Sequence, residues 1–266
     1  MNIGFIGAGN MGGAVLLAAV RAGLAAPEEI FLCRRHPEKG TKDLPEGVSL
    51  LPDAKAVAER CGRLVLAVKP QQADAVLREM RPALSGRFVV SVMAGWDFAR
   101  LSAAMPADAR VLPVMPNTPL SVGEGMTLFS EKTSAAPEEL DWARRLFSSG
   151  GRVETVSEAA FSAANAISGC GPAFAFLFAE ALADGGVRGG LPRDSAYRLA
   201  GQMLAGAGKM ILETGKHPGA LKDAVCSPGG STIAGVYSLE KGGFRAAVMD
   251  AVSAVISRTE EMSKGS

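Results

Sequence analysis

The stretch NIGFIGAGNMG, Asn2 to Gly12, decides how the chain begins to fold. Its apolar run predicts a buried strand, and Gly7, Gly9 and Gly12 follow as the pattern G-x-G-x-x-G. In this pattern the first glycine makes a tight turn, the second lets the backbone approach a pyrophosphate, and the third lets helix and strand pack closely. A glycine-rich turn without a ligand is the alternative. The context of strand and helix favours a dinucleotide site, and the residues expected to contact it are Gly7, Ala8, Gly9, Asn10, Met11 and Gly12.

The first half of the chain alternates apolar runs with amphipathic stretches. Helices are predicted from Asn10 to about Ala22 and from Glu138 to Ser148. Strands are predicted to begin near Ile3, Glu29, Arg63, Arg87, Arg110, Gly125 and Gly151. Unbroken apolar strands that alternate with helices are typical of a parallel sheet covered on both faces. The fold class predicted for residues 1–156 is therefore α/β, a Rossmann-type doubly wound sheet that forms a dinucleotide-binding domain.

Strand signals then stop, and the rest of the chain predicts helices. Pro172 opens an apolar helix that we expect to end at Gly185-Gly186, Pro192 opens another, and a last helix begins at Phe244. A helix that is apolar nearly all round must be buried on every side. Residues 157–266 therefore predict an all-helical C-terminal domain that forms a homodimer or a multiple of dimers.

Composition excludes several classes of function. The 266 residues include 28 basic and 27 acidic side chains, so no basic surface for nucleic acid is expected. The four cysteines are far apart and predict reduced thiols in a cytoplasmic protein. The two isolated histidines favour neither a metal site nor a Ser-His-Asp triad. The longest apolar run, Pro172 to Ala183, is too short to span a membrane, and the strand-like start leaves no room for a signal peptide.

The end of the second predicted strand selects the cofactor. Enzymes that prefer NAD place an acidic residue there, about 20 residues after the glycines, to bind the ribose 2′-hydroxyl. This chain has Cys33, Arg34 and Arg35 instead. Two guanidinium groups suit a 2′-phosphate, so we expect NADP(H) to be preferred and NAD(H) to be possible. Two solvated arginines at the edge of the sheet are the alternative.

Three further strand ends are expected to border the cofactor. Ligands of doubly wound folds bind at the carboxyl ends of the strands. The sequences AVKP, VMAG and MPNTP stand at such ends, and each one alone could be a simple turn. The predicted cofactor contacts here are Ala67, Val68, Lys69, Pro70, Met93, Ala94, Gly95 and Asn117.

The stretch CSPGGSTIAG, Cys226 to Gly235, interrupts the helical half with a glycine-rich turn. Ser231 and Thr232 are residue types that cap the start of a helix. The free N–H groups at a helix start can bind an anion. A plain turn between two helices with a capping residue is the alternative.

Taken together, these motifs resemble the delta-1-pyrroline-5-carboxylate reductase family, which completes proline synthesis. The resemblance runs nearly end to end. It rests on GFIGAGNMG at Gly4, AVKPQ at Ala67, VMPNTP at Val114, SGCGPAF at Ser168, EALADGGVRGGLPR at Glu180, HPGALKDAV at His217 and SPGGSTIAG at Ser227.

The resemblance implies a Rossmann domain and a helical domain that interlocks with a partner subunit. It also implies that the turn before the helix grips the substrate. The Thr232 hydroxyl then bonds the ring nitrogen as the catalytic contact, and N–H groups near Gly230, Ser231 and Thr232 hold the carboxylate. Ser227 and Glu158 match further substrate positions.

The expected reaction is hydride transfer to the C=N carbon of 1-pyrroline-5-carboxylate. A protonated imine is already electrophilic, so the enzyme needs mainly to position it and exclude water. A β-hydroxyacid dehydrogenase is the nearest rival, but the lysine such enzymes use has no match between Lys132 and Lys209. A non-catalytic NADP-binding regulator is a second rival, and the intact SPGGST sequence counts against it.

Overall fold

The computed structural model describes residues 2–36, 38, 40–42 and 44–264, with side chains up to residue 261. Met1 and Gly265–Ser266, the outermost residues of the two predicted domains, lie outside the described residues. The chain divides into two compact units. One contains the chain up to Cys170 together with the last residues from Arg258, and the other is Gly171–Ser257. The predicted domain boundary at residue 156 stays a prediction.

A single eight-stranded sheet forms the frame of the first unit. Its strands are β1 Ile3–Ile6, β2 Ile30–Cys33, β3 Ser49–Leu50, β4 Arg63–Leu66, β5 Phe88–Ser91, β6 Arg110–Met115, β7 Gly125–Ser130 and β8 Gly151–Val156. Their order across the sheet is β3-β2-β1-β4-β5-β6-β7-β8. The change of direction around β1 and β4 is the doubly wound pattern that the sequence predicted.

The sheet is mixed, so the prediction of a wholly parallel sheet was wrong. The strands β1 to β6 are parallel to one another, whereas β7 runs antiparallel to β6 and β8 runs parallel to β7. The physical reason is the short connection 116–124, which holds only a 3-10 turn. A parallel strand would need a crossover of a dozen residues or more.

Helices cover both faces of the sheet. The helices associated with the first unit are α1 Asn10–Arg21, α2 Ala54–Arg60, α3 Ala73–Met80, α4 Phe98–Ala104, α5 Pro137–Ser148 and α6 Glu158–Ser168. Successive strand residues point to opposite faces: Ile3 and Phe5 join the core under α1 and α5, and Ile6 joins the core under α2, α3 and α4. The predicted burial of both faces is confirmed.

The remaining helices are α7 Gly171–Arg188, α8 Arg193–Thr214, α9 Pro218–Ala224, α10 Ser231–Lys241 and α11 Phe244–Lys264. The predicted end of the first of these at Gly185-Gly186 was wrong, because α7 continues to Arg188. A Cβ atom on Gly186 would lie 3.2 Å from Leu191 Cδ1. Gly186 therefore does not end the helix. Its missing side chain lets Leu191, from the turn after α7, pack closely against it.

The second unit has almost no core of its own. Within Gly171–Ser257 the buried side chains are those of Ala183, Ala196 and Ala200, while Phe176 and Leu177 are each 67% exposed. Among the described residues, the stretch Glu158–Arg188 is long and apolar enough to cross a membrane by length and composition alone, a test that core helices of soluble proteins also pass. It is longer than the apolar run judged from the sequence.

Candidate active site

The turn after β1 needs glycine at two positions for steric reasons. Gly7 has a φ of +92°, and a Cβ atom there would lie 2.6 Å from the Ala67 carbonyl oxygen. A Cβ atom on Gly12 would lie 2.3 Å from the Gly7 carbonyl oxygen. Protein atoms therefore exclude a side chain at Gly7 and Gly12. Gly9 differs from both: among the described residues, its own chain neighbours aside, no atom lies within 4 Å of the place its Cβ would take. The space above Gly9 is open for a ligand.

The start of α1 offers N–H groups to that space. Gly9 is the N-cap residue, and no side chain caps the helix. The first bond of the helix runs from the Gly13 N–H to the Gly9 carbonyl at 2.8 Å. The N–H groups of Asn10, Met11 and Gly12 therefore have no carbonyl acceptor within the helix. Such a helix start attracts a negatively charged group.

The two arginines follow the strand next to this turn. Cys33, the last residue of β2, lies opposite Ile6 of β1, and its carbonyl accepts the Gly7 N–H at 2.9 Å. Arg34 comes next and is partly buried, and Arg35 is exposed. Burial raises the pKa of the Cys33 thiol to about 11, so this side chain is neutral. The positive charge beside the turn belongs to the arginines.

The ends of β4 and β5 lie in register beside the end of β1. Ile6 pairs with Leu66, and Leu66 pairs with Ser91. The segments 67–70 and 93–95 that follow are therefore brought to the same edge of the sheet as the glycine turn. This is the juxtaposition that the strand ends predicted.

Trp96 supports the turn after β5, a role that the sequence reasoning missed. Gly95 turns the chain with a φ of +74°. Trp96, only 3% exposed, follows Gly95 and packs into the core under α2, α3 and α4. The Arg100 guanidinium lies 4.1 Å from the centre of the Trp96 ring, a cation–π contact. A large aromatic residue directly after Ala-Gly at a strand end was the signal available in the sequence.

Asn117 lies after β6, but both sides of its amide are already bonded. Its Oδ1 accepts the Met126 N–H at 2.9 Å, and its Nδ2 donates to the Ser168 carbonyl at 2.9 Å. The side chain is 8% exposed. The loop follows the carboxyl end of β6, as the sequence predicted. The amide of Asn117 connects this loop to Met126 and Ser168.

Glu158 is the first residue of α6 and forms an ion pair. Its Oε2 lies 2.5 Å from Lys132 Nζ, and this hydrogen bond raises the pKa of Lys132. Its backbone N–H donates to Glu131 Oε1 at 3.3 Å. Ten residues of helix, about 15 Å, separate Glu158 from Ser168, which bonds Asn117. The structure therefore does not bring Glu158 to the loop of Asn117.

The turn of the second unit runs from Ser227 to Gly230. The Gly230 N–H donates to the Ser227 carbonyl at 3.0 Å, and Gly229 between them has a φ of +69°. Proline followed by a glycine of positive φ is typical of a type II turn. A Cβ atom on Gly230 would lie 2.3 Å from Ser227 Oγ, so the serine hydroxyl lies directly against this glycine.

Neither Ser231 nor Thr232 caps the next helix, so the alternative of a capped turn does not describe these two residues. Gly230 is the N-cap residue of α10, no side chain caps it, and Ser231 and Thr232 are the first two helical residues. Both are exposed. Their side chains are therefore free of the capping role, while the first N–H groups of the helix have no acceptor within it.

The fold and the glycine turn define the class of this protein: a Rossmann-type nicotinamide dinucleotide oxidoreductase with a helical C-terminal region. Residues 2–95 match the family model described as NADP oxidoreductase, coenzyme F420-dependent. Residues 158–262 match the model described as pyrroline-5-carboxylate reductase dimerisation.

Full-length relatives narrow the class. The chain is 40% identical to a pyrroline-5-carboxylate reductase of Escherichia coli over 264 residues, which cover 98% of each protein. It is 42% identical to that of Arabidopsis thaliana over 98% of this chain and 95% of the relative. A crystal structure of Plasmodium falciparum pyrroline carboxylate reductase with NADP bound matches with a TM-score of 0.88 and 32% identity, covering 99% of this chain and 98% of that one. This chain belongs to the pyrroline-5-carboxylate reductase family, and its C-terminal half is a region of oligomerisation.

Proposed function

We propose that this chain reduces 1-pyrroline-5-carboxylate to L-proline with NAD(P)H, the last step of proline biosynthesis. The observation that carries the proposal is the open cradle at Gly9, at the start of a chain that matches reductases of this name over nearly its whole length. The rival dehydrogenase and the non-catalytic regulator have no comparable support.

The residues of the first unit fit NADP(H). A pyrophosphate suits the open space above Gly9 and the unpaired N–H groups at the start of α1. Arg34 and Arg35 suit a 2′-phosphate, which is why NADP(H) is expected to be preferred over NAD(H). The segments 67–70 and 93–95 would border the rest of the cofactor, and the loop of Asn117 would lie beside the nicotinamide, its reactive end. When bound, the reduced nicotinamide supplies the hydride.

The residues of the second unit fit a small carboxylate with an imine nitrogen. The first N–H groups of α10, from Ser231 and Thr232, suit the carboxylate, with Ser227 and Gly230 shaping the turn beneath them. The exposed Thr232 hydroxyl suits the ring nitrogen as a hydrogen-bond partner. These residues orient the substrate and exclude water, which is the help that an electrophilic C=N bond needs. Glu158 is left out of this set because its carboxylate is paired with Lys132.

An assay that combines the purified protein, NADPH and a candidate substrate tests the activity. Purified protein should consume NADPH when given 1-pyrroline-5-carboxylate, and proline should form in equal amount. A panel of 2-hydroxy and 3-oxo acids should give no turnover. Turnover of an oxo acid without proline formation would favour the dehydrogenase, and cofactor binding with no turnover of any substrate would favour the regulator.

The oligomer is proposed to be an obligate dimer or a multiple of dimers. The support is the second unit, whose apolar helices are largely uncovered in one chain. Light scattering at micromolar concentration should show no stable folded monomer. A cytoplasmic location is supported by four cysteines that form no disulfide.

A further inference from the structure

Asn117 is a polar residue with a buried side chain at the edge of the sheet where ligands of this fold bind. It follows the last strand of the parallel set, between Pro116 and Thr118. Its exposure of 8% means that its amide must find partners inside the protein, because an unpaired buried amide is costly. The partners are therefore informative about its role.

The two partners belong to two other elements. Met126 lies at the start of β7, and Ser168 is the last residue of α6. A carbonyl needs a donor and an N–H needs an acceptor, so only one orientation of the amide satisfies both. The side chain thus joins the loop after β6 to the strand and to the helix end by two bonds of 2.9 Å each.

The end of α6 is itself tightly built. The N–H groups of Gly169 and Cys170 both donate to the Asn165 carbonyl, at 2.8 and 3.1 Å. A Cβ atom on Gly169 would lie 2.1 Å from Asn165 Oδ1. These contacts fix the position of the Ser168 carbonyl. Because Asn117 Nδ2 donates to this carbonyl, the hydrogen bond also restrains the loop after β6.

We infer that Asn117 is a positioning residue for the reduction: its amide holds the loop at the reactive end of the cofactor site and does not itself bind the cofactor. The inference rests on the proposed function. Cofactor affinity should depend mainly on the phosphate-binding groups at the other end, which Asn117 does not touch. Misplacement of the reactive end should lower the rate of the chemical step.

Two variants separate the two bonds. Asn117→Ala removes both. Asn117→Asp keeps the acceptor for the Met126 N–H but sets a carboxylate oxygen against the Ser168 carbonyl, and it preserves size if the alanine variant folds poorly. Leu84→Ala is the control, because Leu84 is fully buried and precedes β5, at the opposite edge of the sheet. It lowers stability without touching the loop.

The expected result is a split between binding and chemistry. For both Asn117 variants, kcat/KM for the imine should fall by about tenfold or more, while the Kd for NADPH changes by less than about threefold. Hydrogen exchange without cofactor should quicken in the segment 165–170 for both variants, and at Met126 only for Asn117→Ala. Leu84→Ala should lower the Tm with normal kinetics per folded enzyme.

Two results would overturn the inference. An equal rise of the NADPH Kd and fall of kcat/KM would make Asn117 a direct cofactor contact. A lowered Tm with unchanged kinetics, as in Leu84→Ala, would leave it a structural residue only. Failure of the wild-type chain to form proline while the exchange pattern holds would refute the proposed function and not the bonding of Asn117.

Discussion

The Nζ atom of Lys132, two residues after β7, lies 2.5 Å from Oε2 of Glu158, the first residue of α6 and two residues after β8. The lysine is 58% exposed and the glutamate 35%. An exposed ion pair contributes little to stability, because solvent screens it. The carboxylate in this pair is that of Glu158, which the family resemblance assigned to substrate binding.

Replacement of either partner tests this assignment. Glu158→Gln and Lys132→Gln remove the same ion pair, so both should change kcat/KM for the imine by less than about threefold and the Tm only slightly. Steady-state kinetics and thermal unfolding measure the two effects. A large loss confined to Glu158→Gln would show that its carboxylate meets the substrate after all.

Gly9 and Gly12 should respond to alanine in opposite ways. Gly12→Ala pushes a methyl group against the Gly7 carbonyl, so unfolding should become easier by about 1–3 kcal/mol. Gly9→Ala meets no protein atom and should fold, yet lose NADPH binding because the methyl group fills the cradle. Gly13→Ala, also in open space, should leave stability equal or higher and serves as the stability control. Calorimetry and NADPH titration read out both quantities. Normal NADPH affinity in Gly9→Ala would place the pyrophosphate elsewhere.

The two arginines after β2 should set the choice of cofactor. If Arg34 and Arg35 bind a 2′-phosphate, replacing both by alanine should weaken NADPH by about 10 to 150-fold for each charged hydrogen bond lost, and NADH far less. Fluorescence titration with both cofactors gives the ratio. Equal losses of affinity for the two cofactors would show that the arginines are solvated side chains at the edge of the sheet and do not bind the 2′-phosphate.

Thr232 is the clearest test of the substrate site. Since Gly230 caps α10, Thr232→Ala should cost little stability, whereas loss of a true cap costs about 0.5–2 kcal/mol. If the hydroxyl holds the imine nitrogen, kcat/KM should fall about tenfold or more at unchanged NADPH affinity. Thr232→Val keeps the shape and should match alanine, and Thr232→Ser should be mild. Normal proline formation by a folded Thr232→Val enzyme would leave only the backbone N–H groups as the site.

Much of the first unit could be predicted because the signals were local. The glycine pattern after β1 stands in eleven consecutive residues, and the apolar runs from Ile3, Arg63 and Arg87 are long enough to mark strands. The predicted parallel direction of β7 was wrong, although the sequence contained the information needed to correct it. The connection 116–124 is too short for the crossover that a parallel strand requires. Its length, more than its composition, carries the topology.

Other features depend on contacts that a single stretch does not contain. Gly186 looked like a helix end, but it lies within α7, and the side chain of Leu191 from the turn after α7 packs against it. The partners of Asn117 and Glu158 come from Met126, Ser168 and Lys132, which the fold alone brings together. Residue type predicted that these groups form polar contacts, and tertiary structure determines with what.

The thin core of Gly171–Ser257, with three buried alanines, has a consequence for biosynthesis. A newly made chain can complete its sheet alone, because the sheet has a buried core within one chain. If the proposed obligate dimer forms, the apolar side chains of the second unit leave water only when the chain meets another. Maturation should then follow second-order kinetics, slow when the chain is scarce and faster when nascent chains lie close together on one polysome. Dilution would reverse this association. The concentration of the chain would then determine the fraction of chains that are fully folded as well as their number.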